Sequence, residues 1–461
     1  MKSFLSLFVF LFAAAVHAAS ASGDRLLVLL DDVAEKDAYS TFLGDLEGRG
    51  FKIDYETPKS ENLHLFHLGE RVYDHILIFP TKVKSLGPNL TPNTLVKFIN
   101  AQGNILVTNT ASKSVPSSLI SLLSELDISL PADRTGLVVD HFNYDTISAD
   151  ESHDVLVLSA PSPLRPGIKD IFGAEADEVL AFPSGVGHVL GSSALLNPVI
   201  RASKTAYSYN PKEQGDVVDP DELFAAGEQL SLVSTFQARN SARLALIGSA
   251  EMLSDKWFDA EVKKLGGDKV STWNRAFAKK ISGWTFQEIG VLRVNKVEHR
   301  LAEPGVESEP NPKIYRVGNN ASYSISISEY SWDSWVPFIV PEDDELQLEV
   351  SMLSPFLRMN LELVEKTADA STHGRTFMLP DKHGIFNFMV NYKRPFLTNI
   401  EDKNTFTLRH MAHDEWPRSY AIVAGWPWIL GMFLTFGGFL LFCAVWMYSA
   451  PVRPTSTKKT Q

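Results

Sequence analysis

Short apolar runs alternate with helical stretches through the first third of the chain. Apolar runs bounded by turn residues are typical of strands buried on both faces, and here they cover residues 25–30, 51–55, 75–79 and 105–108. Residues 38–47 and 93–101 have helical periodicity and are followed by Gly48 and Gly103. Strands and helices in this order indicate a parallel sheet covered by helices on both faces. The pattern therefore predicts an α/β parallel-sheet domain over residues 19–150.

The next part of the chain mixes strand and helix patterns less regularly. Strands are predicted at residues 154–158, 230–235 and 243–248, with loops rich in proline and glycine at 159–167 and 209–221. An amphipathic helix is predicted over residues 272–287. We therefore expect a mixed α/β domain over residues 151–290.

Composition shifts after residue 290, and residues 301–312, which contain three prolines, are predicted to be a linker or long loop. Strict alternation of apolar and polar residues begins after this segment. Tyr323, Ile325 and Ile327 alternate with serines, and the same period returns at residues 346–350 and 386–391. Such strands bury one face and expose the other to water. An antiparallel, β-sandwich-like domain is predicted over residues 291–418.

Two long apolar segments flank this predicted body. Residues 4–16 follow Lys2 and precede Ala18, which is the pattern of a cleaved signal peptide over residues 1–18. Residues 419–452 contain no Asp, Glu, Lys or Arg, and they exceed the roughly 20 residues that one helix needs to cross a bilayer. We predict a single C-terminal transmembrane helix over residues 419–449.

Charged residues on either side of this helix predict its orientation. Arg453, Lys458 and Lys459 follow it, whereas Asp414 and Glu415 precede it. By the positive-inside rule, the tail of residues 450–461 is cytosolic and the bulk of the chain is luminal, so the predicted β-sandwich stands just above the membrane.

The two lysines near the end of the chain have a second interpretation. Lys458 and Lys459 occupy the fourth and third positions from Gln461. This spacing resembles the dilysine signal that returns membrane proteins to the endoplasmic reticulum, which is an address read by a receptor. The alternative is a plain stop-transfer cluster of basic residues, and the spacing favours retrieval.

Composition excludes several classes of function. The only cysteine is Cys443, inside the apolar segment, so the predicted luminal body has no thiol for a disulfide, a nucleophile or a cysteine-based zinc site. The formal charge of −12 and the lack of a basic stripe argue against nucleic-acid binding.

Three acidic or histidine-containing groups are candidates for cation binding, and each has a simpler interpretation. Asp31 and Asp32 follow the first strand and could hold Mg²⁺, although acids that cap the next helix are favoured. The acidic run at residues 342–345 could bind Ca²⁺, but a solvated turn is favoured. His410, His413 and the acids after them could ligate a metal only on a helix, whereas residues 405–408 alternate like a strand. We therefore predict no metal site and no catalytic residue.

Two further sets of residues are candidates for modification and assembly. Asn89 and Asn320 begin Asn-X-Ser/Thr sequons and are glycosylation candidates. Gly431, Thr435 and Gly438 lie at positions i, i+4 and i+7 of the predicted membrane helix. Small residues on one face let another helix approach closely, so this face predicts packing against a neighbouring membrane subunit, with ordinary tolerance of glycine as the alternative.

Several stretches together resemble one protein family. They are residues 24–32 (DRLLVLLDD), 73–80 (YDHILIFP), 248–255 (GSAEMLSD) and 416–420 (WPRSY), together with the dilysine end. Over essentially the whole chain, this combination resembles the DDOST-type, wheat-germ-agglutinin-binding, non-catalytic subunit of the oligosaccharyltransferase complex, in its fungal form. The resemblance implies a first domain like the class I glutamine amidotransferases. That chemistry needs a nucleophilic cysteine, which the body lacks, so the fold is expected without the reaction.

The resemblance also implies a function. The complex transfers a preassembled glycan from dolichyl diphosphate to Asn in Asn-X-Ser/Thr sequons of nascent proteins. The implied partners are a ribophorin-II-like subunit, a small defender-against-death-like subunit and a multi-spanning catalytic subunit, and no cofactor is implied for this chain. Two alternatives are a stand-alone luminal glycan-binding or chaperone-like type I membrane protein and an autonomous luminal hydrolase that uses Asp31 and Asp32.

Overall fold

The computed structural model describes residues 20–60, 63–131, 136–174, 178–210, 223–416, 425–449 and 451. The predicted signal peptide and the dilysine end lie outside these residues. The chain divides into two compact units, residues 1–408 and residues 409–461.

The described residues form twenty-seven strands, all in the first unit except for the last residue of β27, Arg409. The first seventeen are β1 (Arg25–Leu29), β2 (Lys52–Glu56), β3 (Phe66–His67), β4 (Glu70–Arg71), β5 (His75–Ile78), β6 (Asn104–Thr108), β7 (Ile128–Ser129), β8 (Leu137–Val139), β9 (Val155–Ser159), β10 (Val179–Pro183), β11 (Val189–Leu190), β12 (Leu196–Arg201), β13 (Tyr207–Tyr209), β14 (Ser231–Gln237), β15 (Arg243–Ile247), β16 (Glu261–Lys263) and β17 (Lys269–Ser271). The other ten are β18 (Ile289–Leu301), β19 (Ile314–Arg316), β20 (Asn320–Ser331), β21 (Ser334–Pro337), β22 (Gln347–Ser351), β23 (Pro355–Asn360), β24 (Glu362–Lys366), β25 (Ser371–Met378), β26 (Gly384–Tyr392) and β27 (Ile400–Arg409).

The described helices are fewer. They are α1 (Ser40–Gly48), α2 (Pro92–Asn100), α3 (Ser117–Glu125), α4 (Asp255–Phe258), α5 (Asn274–Thr285) and α6 (Gly425–Tyr448). The helix predicted over residues 38–47 is wrong at its start, because a 3-10 segment, Val33–Tyr39, precedes α1. Thr91 caps α2 by accepting a hydrogen bond from the Thr94 backbone, and Pro92 occupies the first turn, where its missing N–H leaves no broken bond.

A seven-stranded sheet forms the core of the residues before β18, which we call the first part of the body. Its strand order is β12-β14-β15-β6-β5-β1-β2. The five strands from β15 to β2 are parallel, and β14 and β12 extend the sheet in antiparallel pairing. Strands β5, β6 and β15 are buried along their whole length, as expected for a sheet covered on both faces. The prediction of a parallel sheet is confirmed.

This sheet takes strands from both of the first two predicted domains. Strands β12, β14 and β15 lie in the range 151–290, yet β15 pairs with β6 from the range 19–150. The predicted boundary at residue 150 therefore does not separate two sheets. The domain bounds themselves stay predictions.

Residues 289–408, which we call the two-sheet region, form two antiparallel sheets. One has the order β18-β20-β25-β24, with β21 paired to β20, and the other has the order β19-β27-β26-β22-β23. Tyr323 of the first sheet and Phe388 of the second are fully buried, and their ring centroids lie 5.6 Å apart. The period-two alternation correctly predicted antiparallel strands with one buried face.

Helix α6 stands apart in composition. Its 24 residues include an 18-residue window with a mean hydropathy of 2.1. At 1.5 Å per residue the helix is about 36 Å long, which is enough to cross a bilayer. By length and composition it fits the single transmembrane helix predicted over residues 419–449.

Candidate functional site

Asp31 lies just after β1, at the carboxyl ends of the parallel strands. This is the edge of the sheet at which α/β folds bind ligands. The Asp31 carboxylate accepts a hydrogen bond from the Lys82 backbone N at 3.2 Å, and the Lys113 Nζ lies 3.7 Å from its other oxygen. Lys113 also pairs with Glu35 at 2.7 Å and donates to the Pro80 carbonyl. The positive charge next to Asp31 therefore comes from the Lys113 ammonium group.

Asp32 has a separate structural role. Its carboxylate accepts a hydrogen bond from the Ala34 backbone N at 3.1 Å and caps the 3-10 segment. The favoured interpretation as a helix cap is confirmed for Asp32, whereas it is wrong for Asp31, which accepts from the Lys82 backbone N instead. Among the residues that the structure describes, no group of three or more His, Cys, Asp or Glu side chains could hold a metal ion.

The acidic run at residues 342–345 is a turn tied to the rest of the two-sheet region. Asp344 accepts hydrogen bonds from the Arg394 guanidinium at 2.5–2.9 Å and from the Tyr392 hydroxyl at 2.6 Å. Burial by itself would raise the pKa of Asp344, but these donors hold the pKa below its ordinary value. The Asp344 carboxylate is thus committed to an internal ion pair.

The histidines near the end of the first unit follow a strand. β27 runs to Arg409, as the alternation at residues 405–408 predicted, and His413 lies in the turn after it. Glu415 accepts two hydrogen bonds from Arg409, at 2.6 and 2.7 Å. One of the acids of the candidate cluster is therefore already paired with a cation.

The two sequons have different surroundings. Asn89 is half-buried, and the hydroxyl of its sequon residue Thr91 is used to cap α2. Asn320 is exposed at the first position of β20, with Ser322 half-buried two residues later. Asn320 is the more accessible of the two candidates.

The predicted packing face of α6 carries an internal hydrogen bond. The Thr435 hydroxyl donates to the Gly431 carbonyl at 2.8 Å, so its polar group is satisfied within the helix. Space around Gly431 and Gly438 is open, since a Cβ at either position would meet no other atom within 4 Å among the described residues. Lys458 and Lys459 lie outside the described residues.

A row of buried polar residues at the opposite, amino edge of the sheet was missed by the sequence analysis. His75, Asn104 and Arg243 open β5, β6 and β15 and lie next to one another in the strand register. Asn104 donates to His75 Nδ1 at 3.2 Å, and its side-chain oxygen accepts from the Arg243 backbone N at 2.9 Å. The available signal was a polar residue at the start of each apolar run.

Arg243 joins this row to the two-sheet region. Its guanidinium donates to the backbone carbonyls of Trp284, Ile289 and Gly290 at 2.6–2.7 Å. The side chain is fully buried, and burial lowers its pKa to about 9, which leaves it charged at neutral pH. The Trp284 indole N–H donates in turn to the Phe396 carbonyl at 2.8 Å. These bonds hold the start of β18 and the segment before β27 against the first part.

The fold and the apolar helix α6 fit one class of protein, a single-pass membrane protein with a large body before the helix. Comparison with known proteins identifies the family. The OST48 N-terminal domain matches residues 17–288, and the OST48 middle domain matches residues 301–450. The chain belongs to the OST48 family.

Curated relatives match almost the full length. Subunit wbp1 of the dolichyl-diphosphooligosaccharide–protein glycosyltransferase of Schizosaccharomyces pombe is 36% identical, over 93% of this chain and 94% of its own. The 48 kDa subunit from Danio rerio is 32% identical over 95% of both chains. A solved ThuA-like protein from Parabacteroides merdae aligns with 57% of this chain and 89% of its own, at 11% identity and a TM-score of 0.29, which is too low to establish a common fold.

Proposed function

We propose that this chain is a non-catalytic, structural subunit of the oligosaccharyltransferase complex of the endoplasmic reticulum membrane. It supports the transfer of a preassembled glycan from dolichyl diphosphate to Asn in Asn-X-Ser/Thr sequons of nascent proteins. The observation that carries this proposal is the full-length similarity to relatives that are named as subunits of this glycosyltransferase.

The assignment of catalysis to another subunit rests on chemistry. Transfer from a lipid-linked diphosphate calls for a metal-bearing site at the membrane face. Helix α6 has no charged residue, so it offers no carboxylate for such a site within the bilayer. In the body, Lys113 lies near Asp31 and Arg394 pairs with Asp344. A multi-spanning partner is the better candidate for the catalytic residues.

The proposed arrangement is a single-pass type I protein. Residues 1–18 act as a signal peptide, the body is luminal, and residues 450–461 are cytosolic. The ribophorin-II-like and small defender-against-death-like subunits are its proposed neighbours, with Gly431, Thr435 and Gly438 as the helix face for one of them. Lys458 and Lys459 return the protein to the endoplasmic reticulum, and replacing both by serine should weaken retention unless the complex alone retains the chain.

The body is proposed to keep the three-domain organisation in a modified form. An amidotransferase-like α/β sheet, its mixed α/β extension and a β-sandwich would follow one another along the chain. Support comes from the seven-stranded sheet and from the aromatic contacts between the two antiparallel sheets.

Depletion of the protein tests the proposal. Sequon occupancy on secreted reporter glycoproteins should fall, and should return when the wild-type chain is restored. The purified chain, reconstituted alone with lipid-linked oligosaccharide and an acceptor peptide, should show no transfer. Unchanged occupancy after depletion, or turnover by the isolated chain, would contradict the proposal.

Native electrophoresis separates this function from the stand-alone alternative. In mild detergent, the chain should migrate in a large assembly together with the catalytic subunit. A species near 51.2 kDa plus bound detergent would instead favour an independent glycan-binding or chaperone-like protein.

A further inference from the structure

One end of the two-sheet region carries a cluster of exposed apolar side chains. The hairpin between β22 and β23 presents Leu353, which is 100% exposed, and Phe356, which is 38% exposed. Ile385, at the start of β26, is 63% exposed. Met352 lies between them, since a Cβ built on Gly384 would be 2.8 Å from its sulfur. We call Met352, Leu353, Phe356 and Ile385 the apolar tip.

The hairpin has a sharp division between charged and uncharged residues. Residues 350–357 contain no charged side chain. Directly behind them, Glu349 and Arg358 face each other across the hairpin and form an ion pair at 3.0 Å. An uncharged, apolar loop backed by charges is suited to an interface between water and hydrocarbon. Leu363 and Val364 on β24 are also exposed, but they lie among Glu362, Glu365 and Lys366.

The apolar tip lies at the end of the region from which the chain leaves toward α6. Gly384 pairs with Leu408 near the end of β27, and Ser351 pairs with Asn387. After β27, the ion pair between Arg409 and Glu415 closes the chain into a compact turn.

Few residues separate this turn from α6 in the sequence. Nine residues, 416–424, lie between Glu415 and Gly425, the first described residue of α6, and a chain of nine residues spans at most about 32 Å. A strand of ten residues, such as β27, is itself about 34 Å long. Among the ends of the two-sheet region, the one that bears the apolar tip is therefore the one with the shortest chain path to a membrane helix.

We propose that the apolar tip inserts into the interfacial zone of the bilayer that α6 crosses. It would act as a second membrane contact, which limits rotation of the body about its single tether. Burial of Leu353, Phe356 and Ile385 in the headgroup and upper acyl region supplies the driving force, while Glu349 and Arg358 remain in water. This inference rests on α6 as a membrane span and is independent of the role in glycosylation.

Depth-dependent fluorescence quenching tests the insertion. In a Cys443→Ser background, Leu353→Cys and, as a matched control, Leu68→Cys are labelled with an environment-sensitive dye. Leu68 is 93% exposed at the turn of another hairpin, between β3 and β4. The full-length chain, alone and in its purified complex, is reconstituted into phosphatidylcholine vesicles. Lipids with a shallow spin label should quench the label at position 353 at least about threefold more than the label at position 68.

Aqueous iodide gives the opposite readout. It should quench the label at position 68 strongly and the label at position 353 weakly. Adding Ser354→Asp, a change at an exposed position, should raise iodide quenching at position 353 because a charge in the loop opposes insertion. Equal iodide quenching at both positions would overturn the proposal. Protection of position 353 from both quenchers in the complex would also overturn it, and would indicate a protein partner at the tip.

Discussion

At the scale of single residues, buried polar side chains connect the two parts of the body. His75, Asn104 and Arg243 are each fully buried, and each has hydrogen-bond partners. Such groups stabilise a fold only while their partners remain, because an unsatisfied buried donor or acceptor carries its full desolvation cost. Changes at these positions should therefore affect the body strongly.

Replacing Arg243 by methionine tests this directly. The variant leaves three buried carbonyls without their donor, so the free energy of unfolding should fall by about 3–5 kcal/mol. Urea unfolding followed by tryptophan fluorescence measures the change. Arg293→Met is the control: Arg293 lies over the Trp335 ring at 3.8 Å on the surface, and its loss should cost about 1 kcal/mol or less. Similar losses in both variants would contradict the role given to Arg243.

His75 predicts a dependence of stability on pH. Asn104 donates to Nδ1, so the neutral ring carries its proton on Nε2, which faces the Gly23 carbonyl at 3.2 Å. Burial lowers the pKa of His75 to about 4, whereas the unfolded chain takes up the proton near its ordinary value of about 6.5. Because the unfolded state binds more protons between these values, stability contributed by neutral His75 is present above pH 6.5 and is lost as pH falls toward 4.

A variant isolates this contribution. His75→Gln should make the decline in unfolding free energy between pH 6.5 and 4 shallower by up to about 1.4 kcal/mol per pH unit. Urea titrations at several pH values measure the slope. His67→Gln, at an exposed position, serves as the matched control for the removal of an imidazole ring. An unchanged slope in His75→Gln would mean that the pKa of His75 is the same in the folded and unfolded chain, and would contradict the prediction.

At the scale of elements, the hydrogen-bond partners and neighbours of a segment indicate whether its side chains are used within the fold. The acidic residues after β1 illustrate this, since Asp32 caps the 3-10 segment and Asp31 lies beside Lys113. The helix α6 is the opposite case, because its packing face is open within the described residues. The carboxylates of the first element are bonded internally, and the face of the second stays a predicted site of helix packing.

We expect the cap formed by Asp32 to contribute to stability but not to the glycosylation of reporter proteins. Asp32→Ala should lower the free energy of unfolding by about 1 kcal/mol, the usual cost of losing a cap. Asp31→Ala together with Asp32→Ala should leave glycosylation of reporter proteins unchanged, as measured by their mobility on gels. Severe loss of glycosylation with normal assembly would instead indicate a functional site at this edge.

The open face of α6 predicts a defect in assembly. Gly431→Leu with Gly438→Leu fills the groove that a neighbouring helix would enter, so co-purification with other membrane subunits should fall about tenfold or more. Gly437→Leu makes the same chemical change about 100° away around the helix, and should leave co-purification near the wild-type level. Equal effects of the two changes would favour ordinary glycine tolerance.

At the scale of the whole molecule, the first sheet is a long-range assembly. β15 completes the pairing of β6, and Arg243 then connects the sheet to the two-sheet region. A fragment that ends at residue 150 contains β6 paired with β5 but without β15 on its other side. An exposed edge strand whose residues are fully buried in the native sheet is prone to aggregation.

Truncation tests this dependence. The fragment of residues 20–150 should aggregate or be cut rapidly by protease, whereas residues 20–408 should remain soluble and resistant. Limited proteolysis and size-exclusion chromatography give the comparison. A monomeric, protease-resistant fragment of residues 20–150 would instead support a domain boundary at residue 150.

Predictions from the sequence succeeded where the sequence signal was local. Strands β1 and β5, helix α2 and the end of the apolar helix α6 were predicted within about one residue, because periodicity and capping act over neighbouring positions. The strand at residues 243–248 was also found, but its pairing with β6 was not anticipated. The 3-10 start before α1 was missed, since Asp32 as a cap does not distinguish the two kinds of helix.

Sequence alone therefore determined several of the main strands and helices, the presence of an apolar C-terminal helix, the single thiol and the family resemblance, because each of these is written in local patterns. Only the tertiary structure decided that β15 lies beside β6, that Arg243 bonds to Ile289 and Gly290, and that Leu353 lies at the end from which the chain leaves. Strand pairing and burial depend on contacts between residues far apart in the chain, and many pairings satisfy the same alternation of polar and apolar residues.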